Sequence, residues 1–220
     1  MKVDLKTLPY EPACFAGGTL VHTKNGLVPI EQIQVGDWVL SKHESGEGER
    51  EYKRVTKTFV HEDREVIRIA CGGNECYQNI IVTPEHPIWV QGKGWRAANK
   101  IKPTFPVTRL ELLAGEPKPN VAANLRLFVT NQTDVAWCPS SSVASDLGSK
   151  VSIIDIRTLG IVERGVIVGI EYVENTHRAK PEHLFRTTVY NIEVEDFHTY
   201  YVGKAGIWVH NKNIRTATMK

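Results

Sequence analysis

Hydrophobic and polar positions along this chain form many short runs and no long periodic pattern. The runs are rich in Val, Ile, Tyr and Trp, and Gly, Asn and Pro stand between them. A spacing of about ten residues between such runs is typical of an all-β protein rather than of βαβ units. The pattern predicts strands at 18–22, 37–40, 55–60, 66–70, 80–82 and 88–90, and again at 166–173, 189–194, 200–202 and 207–209.

Helical signals are few, and the middle of the chain has a different texture. Single helical turns are predicted at 29–33 and 96–100. Residues from about 102 to 150 are rich in proline and contain a polar serine run, so we interpret them as an insertion of uncertain structure on the β body. Within it, 110–113 and 121–129 fit short helices or short strands equally well.

Composition narrows the functional class. The chain has 220 residues, of which 41% are hydrophobic and 24% charged, with a formal net charge of +2. These values exclude a disordered, collagenous or coiled-coil protein, and they give no electrostatic basis for binding nucleic acid. No apolar stretch reaches the length of a membrane span. Charged residues at positions 2, 4, 6 and 11 interrupt any apolar core of a signal peptide. The sequence therefore does not indicate in which cellular compartment the protein works.

Four cysteines are too few and too scattered for a disulfide framework: Cys14, Cys71, Cys76 and Cys138. Cys71 and Cys76 flank a turn-rich tip, and the sequence is compatible with a disulfide there or with two free thiols. The chain has no CxxC or HExxH motif, and its histidines are not clustered at ligand spacing. We therefore expect neither a metal nor a cofactor.

Four local features carry candidate chemistry, and their order along the chain is informative. Cys14 precedes a Gly-Gly turn, and Thr83 and His86 form a TPEH turn after a predicted strand. His198 ends the segment VYNIEVEDFH, and His210-Asn211 follows the last predicted strand. Each feature alone has a purely structural explanation, such as a buried thiol or a capped turn. Their combination in this order predicts one reaction centre.

These segments resemble the Hint domain family, which includes inteins, bacterial intein-like domains and hedgehog autoprocessing domains. The resemblance is carried by CFAGGTLVHTKNGLVPIEQIQVGDWVLS, VTPEHPIWV, GWRAANKI and VYNIEVEDFHTYYVGKAGIWVHN. It is greatest to the Hint modules that precede the toxin end of Rhs-type polymorphic toxins. It implies an all-β horseshoe of two related halves over 14–211, with 102–150 as the insertion and with flanking tails at 1–13 and 212–220.

The resemblance implies self-cleavage at the Ala13–Cys14 bond. The Cys14 thiol attacks the carbonyl carbon of Ala13 and converts the amide into a thioester, because a thiol is a strong nucleophile and proximity makes the attack intramolecular. His86 is expected to protonate the departing nitrogen, since an imidazole titrates near neutral pH. Thr83 is expected to orient the site or to stabilise the oxyanion.

The resemblance also implies cleavage after Asn211. The Asn211 side-chain amide attacks its own backbone carbonyl, which yields a succinimide and breaks the bond to Lys212. An amide nitrogen is a poor nucleophile, so His210 and His198 are expected to assist. One would protonate the Lys212 amine and the other would act on the carbonyl, in either assignment.

Two positions depart from the intein pattern. Asn191 stands where many inteins have Asp, so it can act through hydrogen bonds but cannot release or take up a proton as a carboxyl group does. Lys212 stands where splicing requires Cys, Ser or Thr. We therefore predict cleavage without ligation, a monomer whose substrate is its own flanking polypeptide, and release of a C-terminal toxin or effector.

Other functions fit this sequence less well. The strongest alternative is a catalytically silent Hint module that joins a delivery region to a cargo. A protease acting on other proteins is disfavoured because the cysteine lacks the local motifs of such enzymes. Sterol transfer of the hedgehog type is disfavoured because Asn211 is intact. A homing endonuclease is also disfavoured, because residues 109–115 hold only one short fragment similar to the LAGLIDADG motif of such enzymes.

Overall fold

The short β-branched runs form strands, as their composition predicts. The computed structural model describes residues 12–72, 78–102, 108–113, 121–130, 132–139, 149–167 and 183–211. The first strands are β1 (Phe15–Ala16), β2 (Leu20–Thr23), β3 (Gly26–Pro29), β4 (Trp38–Lys42), β5 (Arg50–Glu65), β6 (Ile67–Gly72), β7 (Gln78–Val82), β8 (Pro87–Val90) and β9 (Gly94–Ala97). The others are β10 (Val121–Arg126), β11 (Phe128–Val129), β12 (Val135–Pro139), β13 (Ser149–Asp155), β14 (Gly160–Ile167), β15 (Arg186–Val194), β16 (Thr199–Val202) and β17 (Ile207–His210).

The prediction of an all-β fold is confirmed. The helical elements in the described ranges are two 3-10 turns, Ile30–Gln32 and Ala98–Lys100, at the two places where single turns were predicted. Most predicted strands coincide with observed ones. The run at 166–173 overlaps the end of β14 and otherwise lies outside the described residues.

One antiparallel sheet of 13 strands forms the body of the molecule, in the order β10-β6-β7-β1-β15-β5-β4-β2-β16-β17-β8-β9 with β3 beside β2. The long strand β5 belongs to both parts of this curled sheet. Its first residues pair with β4, as in Trp38 with Arg54, and its later residues pair with β15, as in Val194 with Val55. The sheet thus has two halves that share β5, which confirms the predicted horseshoe architecture.

In the described parts of 102–150, the regular elements are strands, and Leu110 and Leu112 form isolated β-bridges. β10 extends the main sheet by pairing with β6. β11, β12, β13 and β14 form a separate four-stranded sheet, which continues beyond residue 150. The question left open for 121–129 is therefore resolved in favour of strands.

Two clusters of buried apolar side chains hold these layers together. The larger one fills the curl of the main sheet and includes Phe15 and Tyr200. The second joins the small sheet to the back of the main sheet, and Cys14 belongs to it together with Ala136 and Ile154. At this junction Gly18 has a φ of +78°, and a Cβ atom there would lie 2.5 Å from the Arg157 carbonyl oxygen. Only glycine fits such a backbone approach.

Two further observations concern the described part of the chain. It contains no helix long and apolar enough to cross a bilayer. It also contains no group of three or more His, Cys, Asp or Glu side chains arranged to hold a metal ion. Whether Cys71 pairs with Cys76 was left open by the sequence, and Cys76 lies outside the described residues.

Candidate active site

Strand β1 fixes the position of Cys14. Phe15 pairs with Val82 of β7 on one side and with Tyr190 of β15 on the other. Cys14 therefore lies between the Thr83 turn that follows β7 and the strand that carries Asn191. Although these residues are far apart in the sequence, antiparallel pairing brings them to one end of β1.

Thr83 holds both sides of the Cys14 backbone. Its hydroxyl accepts a hydrogen bond from the Cys14 N–H at 2.9 Å and donates to the Pro12 carbonyl oxygen at 2.9 Å. The Thr83 N–H donates to the Cys14 carbonyl oxygen, also at 2.9 Å. Thr83 thus contacts the nitrogen of the Ala13–Cys14 bond.

Asn191 contacts both backbone carbonyls at which cleavage is predicted. Its Nδ2 lies 2.6 Å from the Ala13 carbonyl oxygen and 2.8 Å from the Asn211 carbonyl oxygen, and it donates to both. Two positions at opposite ends of the chain therefore meet around a single nitrogen atom. The predicted reaction centre requires this convergence.

The Cys14 thiol is buried and protonated at neutral pH. The residue is 1% exposed, and its sulfur is free of disulfide bonding. Burial raises the pKa of the thiol to about 12, although the Arg64 guanidinium acts in the opposite direction. A base must therefore remove the thiol proton during attack, because the thiolate is scarce in the resting site.

This burial predicts slow alkylation of Cys14. At pH 8 a thiol with a pKa of about 12 carries roughly 1,000-fold less thiolate than an ordinary cysteine, so iodoacetamide should label native Cys14 at least 100-fold more slowly than the same residue in urea. Labelling should rise as the pH approaches 12. Mass mapping of the Cys14 peptide measures both rates, and equal labelling with and without urea would contradict the description of this thiol.

His86 lies against the ring of Phe15, with ring centroids 4.1 Å apart, and is fully buried. Burial first, and then the nearby His210 imidazole, lower the pKa of His86 to about 3. The near-neutral titration expected from residue type does not hold, because the imidazole is fully buried. His86 is therefore a neutral imidazole at pH 7, and it must accept a proton before it can donate one.

The C-terminal residues are held by main-chain and side-chain contacts. The Asn211 N–H donates to the His198 carbonyl oxygen at 2.9 Å, and His198 adopts a φ of +55°. The His210 Nε2 lies 2.7 Å from an Oε2 atom of Glu44, and the ring of Trp95 packs edge-on against this imidazole. His210 is therefore fixed in orientation, and it adjoins Asn211 along the chain.

Glu44 was not identified from the sequence, because it lies 166 residues from His210 in a polar loop. Partial burial favours its neutral form, but the hydrogen bond from His210 and the nearby imidazoles of His198 and His43 hold the pKa of Glu44 below its ordinary value. A carboxylate here fixes the His210 ring and attracts the charge that the ring gains when it takes a proton.

Several predicted catalytic residues have buried polar atoms without a hydrogen-bond partner in the described part of the chain. They are both ring nitrogens of His86, the Nδ1 of His198, and the Nδ2 and Oδ1 of Asn211. Each such atom costs about 1–3 kcal/mol of stability. The presence of five such atoms in three predicted catalytic residues is compatible with a site whose groups stay available for chemistry.

Comparison with known proteins gives a family match and several structural matches. Residues 20–107 match the pretoxin HINT domain, a range that includes Thr83 and His86 but not Cys14. A bacterial intein-like domain from Clostridium thermocellum is 24% identical, with 92% of this chain and 100% of that chain covered and a TM-score of 0.49.

Two inteins are also similar. A DnaB intein from Synechocystis is 11% identical over 91% of this chain and 99% of that chain, with a TM-score of 0.47. A DnaX mini intein from Spirulina platensis is 19% identical over 90% of this chain and 99% of that chain, also with a TM-score of 0.47. A comparison with curated protein sequences gives no match.

Proposed function

Because this chain carries a Hint domain, we propose that it is a single-turnover autoprotease that cuts its own backbone before Cys14 and after Asn211. The observation that carries the proposal is the meeting of the Ala13 and Asn211 carbonyl oxygens around the Asn191 Nδ2, at 2.6 and 2.8 Å. The unpartnered buried nitrogens of His86 and Asn211 support it.

In the N-terminal step, neutral His86 takes the proton of the Cys14 thiol as the sulfur bonds to the Ala13 carbonyl carbon. The C–N bond then breaks, and His86 returns the proton to the Cys14 nitrogen. The product is a thioester with a free amine, so no atom or charge is left over. Water or hydroxylamine then attacks the thioester carbonyl carbon, which releases residues 1–13 as a carboxylic acid or a hydroxamate and returns the Cys14 thiol. Thr83 holds the departing nitrogen, since its hydroxyl accepts the Cys14 N–H. Positioned groups of this kind lower a barrier by about 7–11 kcal/mol.

In the C-terminal step, the Asn211 Nδ2 bonds to its own backbone carbonyl carbon and loses a proton, and the bond to Lys212 breaks as its nitrogen gains one. The products are a C-terminal succinimide and a free amine on Lys212. His210 or His198 carries the proton. The side chain of Asn211 is 7% exposed and makes no competing hydrogen bond in the described part of the chain, which leaves its amide available.

Cleavage rather than splicing is proposed because Lys212 lacks a hydroxyl or thiol to receive the acyl group. The substrate is the domain's own flanking polypeptide, and the working unit is a monomer. The match to a pretoxin HINT domain supports release of a C-terminal toxin or effector as the purpose of the second cut.

The test is time-resolved mass spectrometry of the purified full chain, with and without hydroxylamine. We expect residues 1–13 to be released as the hydroxamate, because hydroxylamine attacks a thioester, and residues 212–220 to be released without any reagent. The Cys14→Ala/Asn211→Ala double variant is the matched control and should keep its intact mass. A wild-type chain that also keeps its intact mass would contradict the proposal and favour a silent Hint module.

A further inference from the structure

We propose that the Asn191 carboxamide stabilises the oxyanion of both cleavage steps and that Tyr200 is the residue that positions it. This inference rests on the proposed function and deepens it. Asn191 is 5% exposed, and its Nδ2 donates to the Ala13 and Asn211 carbonyl oxygens. Since an amide nitrogen carries two hydrogens, both are used, one on each scissile carbonyl.

The orientation of the carboxamide follows from its other contacts. The Oδ1 of Asn191 accepts from the Tyr200 hydroxyl at 2.7 Å and from the Ile192 N–H at 2.8 Å. A backbone N–H can only donate and a carbonyl oxygen can only accept, so the oxygen must face Ile192 and the nitrogen must face the two carbonyls. All four hydrogen-bonding positions of the side chain are filled.

Tyr200 is suited to hold this orientation. It is fully buried on β16, and it pairs with Val209 of β17, the strand that leads to Asn211. Burial first, and then the proximity of Cys14, raise the pKa of Tyr200 well above its ordinary value, so its hydroxyl keeps its proton and donates. Without this bond the Asn191 Oδ1 accepts only from the adjacent Ile192 N–H.

The chemistry gives Asn191 a distinct kinetic signature. When sulfur adds to the Ala13 carbonyl carbon, negative charge develops on the oxygen that the Nδ2 already contacts. The same holds for the Asn211 oxygen when the succinimide closes. Donors aimed at such oxygens contribute strongly to rate, and loss of one typically costs 100- to 1,000-fold. A defect in Asn191 positioning should therefore slow both cleavages together.

The experiment measures the hydroxylamine-dependent release of residues 1–13 and the reagent-free release of residues 212–220 by mass spectrometry. It compares the wild type with Tyr200→Phe, Asn191→Ala and the double variant. Tyr201→Phe is the matched control, because Tyr201 is the neighbouring buried tyrosine and stacks on Trp208 instead. We expect Tyr200→Phe to slow both steps about 10-fold, through loss of one hydrogen bond to a buried group, and Tyr201→Phe to change neither more than twofold. Asn191→Ala should slow both at least 100-fold.

The double variant separates positioning from general loosening of the fold. If Tyr200 acts through Asn191, adding Tyr200→Phe to Asn191→Ala changes the rates less than twofold. This inference alone is overturned if the wild type cleaves but the rates in Tyr200→Phe are unchanged. It is also overturned if the wild type cleaves and the effects of the two substitutions multiply in the double variant. A wild type with neither cleavage overturns the proposed function and this inference with it.

Discussion

Replacing Asn211 with alanine is expected to abolish C-terminal cleavage, with residues 212–220 still attached after incubation that fully processes the wild type. The side-chain amide is the nucleophile in this step, so alanine removes the reacting atom itself. The loss should exceed 1,000-fold, as is usual when a covalent nucleophile is removed. Intact mass over time measures it.

Asn211→Gln is the matched variant for this prediction. It keeps the amide but adds a methylene group, so ring closure must form a six-membered imide from a less favourable geometry. We expect slow release rather than none, and hydroxylamine cleavage before Cys14 should persist in both variants. Release from Asn211→Ala at the wild-type rate would show that another group cuts this bond.

Replacing His86 with glutamine is expected to slow the N-terminal cleavage by about 100- to 10,000-fold, because the amide cannot accept the Cys14 proton. The wild-type step should show no loss from His86 protonation between pH 8 and pH 5. With a pKa of about 3, His86 keeps its neutral, basic form across that range and loses it only as the pH falls toward 3. Release of residues 1–13 gives the rate at each pH, measured with a constant, saturating concentration of unprotonated hydroxylamine.

The control for this variant is His183→Gln, which changes an exposed histidine. It should leave the rate and its pH profile unchanged. A wild-type rate that drops in step with an ordinary imidazole, near pH 6.5, would show that the reacting histidine is not the buried one described here.

The strands were predictable because their signal is local. Runs such as 80–82 and 189–194 contain β-branched residues in the spacing that strands require, and they became β7 and part of β15. The residues expected at the site also had local signals, a Gly-Gly turn after Cys14 and a proline-flanked turn around His86. Their order along the chain and the resemblance to the Hint family, rather than any one local signal, marked these positions.

The small sheet and the contacts around Asn191 were not predictable in this way. Strands β11 to β14 pair with their neighbours in sequence, but a proline and polar runs in and between them obscure the strand pattern. The bond from Asn191 to the Ala13 oxygen spans 178 residues, and the contact of Glu44 with His210 spans 166. No pattern within a short window specifies which distant partner a polar side chain meets.

The shared nitrogen of Asn191 also fixes where the flanking polypeptides leave the domain. Since the Ala13 and Asn211 carbonyls contact one nitrogen atom, the points at which the two flanking polypeptides are attached lie close together. If this domain interrupts a host protein, it holds the two halves of that protein side by side. Large folded neighbours would crowd each other there, so short spacers on both sides would favour their folding.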